Sequence, residues 1–160
     1  MAIHSLIDYT SAYMETNKAS KKLIFDNPNG LFSIQYPNNY KIHFEDNILS
    51  IAAPKSNSSL TVSTLKFARE LVDVEFAELF QRLTVKYEAI KEPFYKNENT
   101  LIQRLKSIKP DHHGDIVTTY WTICLQRTSS SAILVTVNVA DHETTKILND
   151  YEEMISSIVN

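Results

Sequence analysis

The chain has 160 residues, 43% of them apolar and 22% charged, with a net charge of −3. Those totals fit one soluble globular domain and give no basic excess that would recruit nucleic acid. Cys124 is the sole cysteine and Gly30 and Gly114 the sole glycines, which excludes an internal disulfide, a thiolate metal cage and the glycine-rich loops that cradle phosphates.

No window approaches ~18 consecutive apolar residues, so no membrane-spanning helix is expected. The first residues, Met-Ala-Ile-His-Ser-Leu, lack the cationic start and apolar run of a secretory leader. Together with the lone cysteine, this gives a cytoplasmic expectation.

In chain order, Ile3, Leu6, Ile7, Tyr13 and Met14 make a partial apolar stripe, and Ser5 and Asp8 have capping-box spacing. A short helix is expected over about residues 3–16. A polar loop with Lys18, Lys21 and Lys22 follows, read as a solvated turn, then a short strand at Leu23-Ile24-Phe25. Asp26-Asn27-Pro28-Asn29-Gly30 is dense turn chemistry.

The next stretch organises the fold. Phe32, Ile34 and Tyr36 alternate before Pro37-Asn38-Asn39, and Tyr40, Ile42 and Phe44 alternate after it. A period of two marks strands with one buried face. Pro37 donates no hydrogen bond, so the ladder should stop there. The spacing predicts a strand, a corner and a second strand, together a hairpin over Leu31–Phe44. A turn at Glu45-Asp46-Asn47, a strand at 48–52, a loop at 54–59 and a strand at 60–67 extend an antiparallel meander.

The period then changes. Phe76, Leu79, Phe80, Leu83, Tyr87 and Ile90 fall three or four apart and predict a helix from Asp73 to about Ile90, with Asp73 as N-cap. Pro93 follows as a stop, with Phe94 and Tyr95 packing the exit. A strand is expected at 101–108, a turn at 109–115 and a strand at 116–126. The last has Val117, Trp121, Ile123 and Leu125 on one face and Tyr120 and Cys124 on the other. Two apolar faces predict a central strand covered on both sides. Thr128–Ser131 turns into a hairpin partner at 132–139. A final helix starts at Asp141, carries Ile147, Leu148, Tyr151, Met154, Ile155, Ile158 and Val159 inward, and leaves Asp150, Glu152 and Glu153 in water. The order α-β-β-β-β-β-α-β-β-β-α predicts an α+β fold, a twisted antiparallel sheet of about six to eight strands flanked by helices.

The strand ending in Tyr36-Pro37-Asn38-Asn39-Tyr40 resembles the opening hairpin of PsbP-like domains, and Tyr151–Val159 resembles their terminal helix. The superfamily also holds the Mog-type Ran-binding proteins and bacterial families of unknown function. The resemblance runs from about Leu23 to the C-terminus. Tyr40 stands where the family often has Trp, and the N-terminal helix is an addition, so 1–160 reads as one PsbP-like domain, most closely of a bacterial family. The resemblance implies a sandwich fold and accessory, assembly or chaperone-like binding. It implies no shared catalytic set.

The residues themselves offer little chemistry. Asp111-His112-His113-Gly114-Asp115 is the best metal-like cluster, but adjacent turn residues seldom converge on one ion, and a plain turn is the reading taken. Asp141-His142-Glu143 lacks the second His of a zinc-protease helix and suits a helix start. His43 reads as a partly exposed strand residue, Cys124 as an inert small hydrophobe, Ser129–Ser131 as a loop. Asn57-Ser58-Ser59 is a glycosylation sequon only for a secreted chain. Tyr9, Tyr13, Tyr36, Tyr40, Tyr87 and Tyr95 are either a recognition surface or core-edge residues with wet hydroxyls, and the second reading is taken. No catalytic, cofactor-binding or metal residue is therefore assigned, and no cofactor is expected. The expected function is non-enzymatic binding of a protein partner, with a homodimer through a sheet edge as one form of it. The alternative is a small-molecule enzyme or ligand-binding protein with a site on the sheet face or loops.

Overall fold

A computed structural model describes residues 20–90, 95–140 and 145–159. The expected helix over 3–16 and the expected start of the last helix at Asp141 lie outside them.

The described chain is α+β. An antiparallel ribbon of two strands, β1 (Lys22–Asp26) and β2 (Ser33–Pro37), precedes a sheet of eight. That sheet contains β3 (Lys41–Glu45), β4 (Ile48–Ala52), β5 (Ser59–Lys66), β6 (Glu88–Ala89), β7 (Tyr95–Lys96), β8 (Thr100–Pro110), β9 (Ile116–Arg127) and β10 (Ser131–Ala140). Its spatial order is β3-β4-β5-β10-β9-β8-β6, with β7 also on β8, and every pairing is antiparallel. Helix α1 spans Asp73–Thr84 and helix α2 spans Thr145–Ser156.

The opening stretch forms both expected strands, and β2 ends at Pro37 as the missing N–H requires. It is not a hairpin. β2 pairs back onto β1, with Phe25 opposite Ile34, whereas β3 pairs forward onto β4, with Phe44 opposite Leu49. The Pro37 corner, closed by Tyr40 N–H donating to the Pro37 carbonyl at 3.0 Å, passes the chain from one sheet to the other. The β3–β4 connection is a tight turn with Asp46 at φ 50° and Asn47 at φ 62°, a left-handed pair that short polar side chains tolerate.

Alternation along the central strands splits the core in two. Ile133, Val135, Val137 and Val139 of β10 join Leu49, Ile51, Leu60, Val62 and Cys124 on one face of the sheet. The ribbon's Phe32, Ile34 and Tyr36 and α2's Tyr151, Met154 and Ile155 cover that face. On the other face Leu105, Ile123, Leu125 and Ala132 meet Phe76 and Phe80 of α1. β9 is thus the central strand with two apolar faces that its sequence predicts.

The expected helix Asp73–Ile90 is shorter than its apolar stripe. Val72 is the N-cap and Asp73 the first helical residue; the Glu75 carboxylate accepts the Val72 N–H at 3.2 Å. The helix stops where two β-branched residues meet. Thr84 turns its hydroxyl back to the Phe80 carbonyl at 3.0 Å, and Val85 closes the helix. Glu88 and Ala89 then pair with Lys106 and Leu105, so tertiary pairing takes over a stretch whose spacing is helical.

At the C-terminus, Val159 leaves the helix, is 64% exposed, and bridges Ser33 of β2. Glu152 and Asp150 are half-buried, contrary to the expectation of a wet face, because each has a partner on another element. Arg104 of β8 pairs with Glu152, and the Tyr40 hydroxyl donates to Asp150 at 2.8 Å.

Candidate functional site

A groove of about 720 Å³ opens where α1 crosses the start of β8. Helical spacing brings Asp73, Phe76, Ala77, Phe80, Gln81 and Thr84 to one side; Asn97, Glu98, Leu101 and Gln103 form the other. Phe76, Phe80 and Leu101 are buried and make an apolar floor. Gln81, Asn97 and Gln103 also line the groove, each with a carboxamide that can donate and accept, and Asn97 Oδ1 accepts the Asn99 N–H at 2.9 Å. That combination of apolar floor and sparse polar rim is the usual chemistry of a binding site.

One residue holds the groove's end together. Arg127 closes β9, and its side chain is only 9% exposed. Its guanidinium donates to the Leu71 carbonyl at 2.9 Å, the Glu98 carbonyl at 2.6 Å and the Asp73 carboxylate at 2.9 Å. Its Cζ lies 4.9 Å from the Phe76 ring centroid. A planar fork with several donors can tie three segments at once, which an ammonium cannot do in the same way. Beside it, the guanidinium of Arg69, foremost, and the Val72 N–H hold the Glu75 carboxyl below its usual range. The first turn of α1 is thereby pinned at both carboxylates.

The sequence places Asp73, Phe76 and Phe80 in a helix but assigns none of the groove residues to a site. The signal available was weak: Arg127 follows an apolar strand and reads as a charged strand end. The side chains that sequence did weigh lie elsewhere. Asp111 accepts N–H groups from His113 at 2.8 Å and Asp115 at 3.0 Å, and Gly114 takes φ 89°, as a tight turn demands. The His112 and His113 rings sit 3.8 Å apart on the exposed tip of the β8–β9 hairpin. Among the described residues, no group of three metal-ligating side chains converges. His43 is exposed on β3, 3.1 Å from Glu45. Cys124 is buried mid-strand, and burial pushes its thiol up to about 12. Lys22 pairs with Glu153 at 2.8 Å. Asn57 is exposed, but the adjoining Ser58 is buried against the Tyr151 hydroxyl at 3.1 Å.

The tyrosines divide. Tyr36 and Tyr40 are buried; Tyr40 meets Tyr151 edge-on at 5.9 Å and directs its hydroxyl to Asp150 instead of water. Tyr87 packs against Trp121 with the two rings tilted. Tyr9 and Tyr13 lie outside the described residues. No helix among the described residues is long and apolar enough to cross a membrane.

No protein-family model matches the chain, and no curated protein sequence matches it. Solved structures do. A crystal structure from Bacteroides thetaiotaomicron is similar with a TM-score of 0.59 at 14% identity, over 85% of this chain. The chain spans 47% of that protein's length, about half. A variant of the protein Mog1 is similar with a TM-score of 0.58 at 12% identity, over 87% of this chain and 95% of Mog1. At these identities the likeness is one of fold, and the fold is that of Mog1, the arrangement the sequence resemblance implied.

Proposed function

We propose that the chain is a non-enzymatic protein-binding module, an assembly or chaperone-like accessory, and that it receives an extended segment of its partner in the groove between α1 and β8. The supporting observation is the groove's chemistry: an apolar floor of Phe76, Phe80 and Leu101 in a lining that also holds the carboxamide residues Gln81 and Gln103. A carboxamide both donates and accepts, so it suits the alternating groups of a peptide backbone. Apolar side chains of the segment would enter the floor. Arg127 keeps the groove's end rigid, which limits the ordering cost on binding.

Ala77 is exposed on the groove side of α1. Ala77→Arg therefore places a long cation in the groove without touching the core. In pull-downs from a lysate of its own cells, with cross-links mapped by mass spectrometry, the native chain should cross-link its partner at α1 and β8. Ala77→Arg should lose that capture while melting unchanged. Capture that survives Ala77→Arg, or cross-links confined to other surfaces, would reject the groove as the docking site.

A further inference from the structure

A second pocket, of about 480 Å³, shares no lining residue with the groove and opens where the chain leaves α1 for the β8–β9 hairpin. Its wall is aromatic. The Tyr87 and Trp121 rings stand 5.1 Å apart and tilted by 39°, and Trp121 Nε1 donates to Ser107 Oγ at 3.2 Å, which fixes the indole. Its rim is cationic. Lys86 comes from the turn after α1 and Lys109 from β8, with Lys86 Nζ 5.1 Å from the Tyr87 centroid. Neighbouring Lys106 is paired with Glu88 at 3.1 Å, whereas neither Lys86 nor Lys109 forms an ion pair among the described residues. Asp111, the carboxylate in the lining, is engaged through Oδ1 with the N–H groups of His113 and Asp115.

The hairpin is also longer than its neighbours. β10 pairs with β9 only as far as Thr119, and β6 pairs with β8 only at Leu105 and Lys106. Val117, in the lining, is consequently 38% exposed. The pocket thus combines a tilted aromatic wall, an apolar shoulder, and two lysines against the single carboxylate of Asp111, a net positive lining.

We infer that this pocket holds an acidic peptide segment of a partner protein. One apolar or aromatic side chain of the segment lies against Tyr87, Trp121 and Val117, and its flanking carboxylates reach Lys86 and Lys109. An edge-on or offset ring on the Tyr87–Trp121 wall is favourable beyond its buried area. Two opposed charges on separate elements fix the segment's register more than they add affinity. The net charge of −3 disfavours a long polyanion such as RNA, whose binding draws on many phosphate contacts. A short segment with a few carboxylates matches the two lysines.

Trp121 is the only tryptophan in the chain, so its emission reports occupancy of this pocket directly. The native chain is titrated with the peptide Glu-Glu-Phe-Glu-Glu, with Lys-Lys-Phe-Lys-Lys, and with a short oligouridylate. The acidic peptide should give a saturable change in emission that weakens as ionic strength rises. In a Lys86→Glu, Lys109→Glu double variant its affinity should fall about tenfold. Lys86→Gln with Lys109→Gln, which removes charge without reversing it, should give a smaller loss in the same direction. Ala77→Arg should leave the response intact, which separates this pocket from the groove. The proposal is overturned by any of four results: no response to the acidic peptide, an equal response to the basic one, tighter binding of the oligouridylate, or native affinity in the double charge reversal.

Discussion

Arg127 shows how much of the site rests on a single side chain. Its donors satisfy the part-buried carbonyl of Leu71 and the carbonyl of Glu98, while its ion-pair partner Asp73 is 92% exposed. The carbonyl bonds, not the ion pair, therefore carry most of its contribution. Arg127→Met should destabilise the chain by roughly 2–3 kcal/mol in urea unfolding. Asp73→Asn should lose less than about 1 kcal/mol, because an exposed ion pair is worth little. Cys124 makes a different prediction. Burial raises its thiol from 9.0 to about 12. Below pH 9 the thiol is protonated in both states. Between those two values the unfolded chain releases the proton and the folded chain keeps it. Stability then falls with rising pH, by up to about 1.4 kcal/mol per unit. Cys124→Ala should lack that component, so the difference between the two denaturation midpoints should change sharply above pH 9 and stay flat below it. The burial of this thiol was legible in sequence from its apolar neighbours in a central strand. The role of Arg127 was not, because its acceptors are main-chain carbonyls contributed by two distant loops.

At the scale of elements, periodicity located most strands and both described helices. It failed where a tertiary partner overrode a local preference. Residues 85–90 continue the helical stripe of α1, yet Glu88 and Ala89 pair with β8. The intrinsic preferences of Thr84 and Val85 are weak for a helix, so a short ladder prevails. The edge strand β3 bears on the expectation of a dimer through the sheet. It is five residues long, pairs among the described residues only with β4, and exposes Lys41, His43 and Glu45. Short, charged edges resist strand addition. Sedimentation velocity over a wide concentration range should therefore report a monomer, and a concentration-dependent dimer that Ile42→Lys abolishes would contradict this.

Across the whole molecule, the layers are tied together by contacts between residues far apart in sequence. The Tyr151 hydroxyl of α2 accepts the Ala53 N–H at 3.2 Å and bonds Ser58 Oγ at 3.1 Å, closing the loop between β4 and β5 under the helix. Tyr151→Phe keeps the ring but strands a buried N–H. It should cost about 1–3 kcal/mol and accelerate hydrogen exchange in α2 and in residues 53–58 together. Loss of protection in α2 alone would show that the hydroxyl does not couple them.

The stretch around Pro37 separates what the two levels of description determine. Its two strands, their buried faces and the stop at Pro37 can be read from the residues alone, because side-chain alternation and a missing N–H are local properties. The α+β class and the two-faced central strand can be read for the same reason. That β2 turns back onto β1 while β3 opens the larger sheet is settled by packing. Strand pairing is a choice among distant backbones of similar local preference, and register follows from which apolar faces can be buried together. The groove and the Tyr87–Trp121 pocket belong to that second kind. The groove joins α1 to β8 and the pocket joins the turn after α1 to β8 and β9, and the distances that make them sites exist only once those elements have packed.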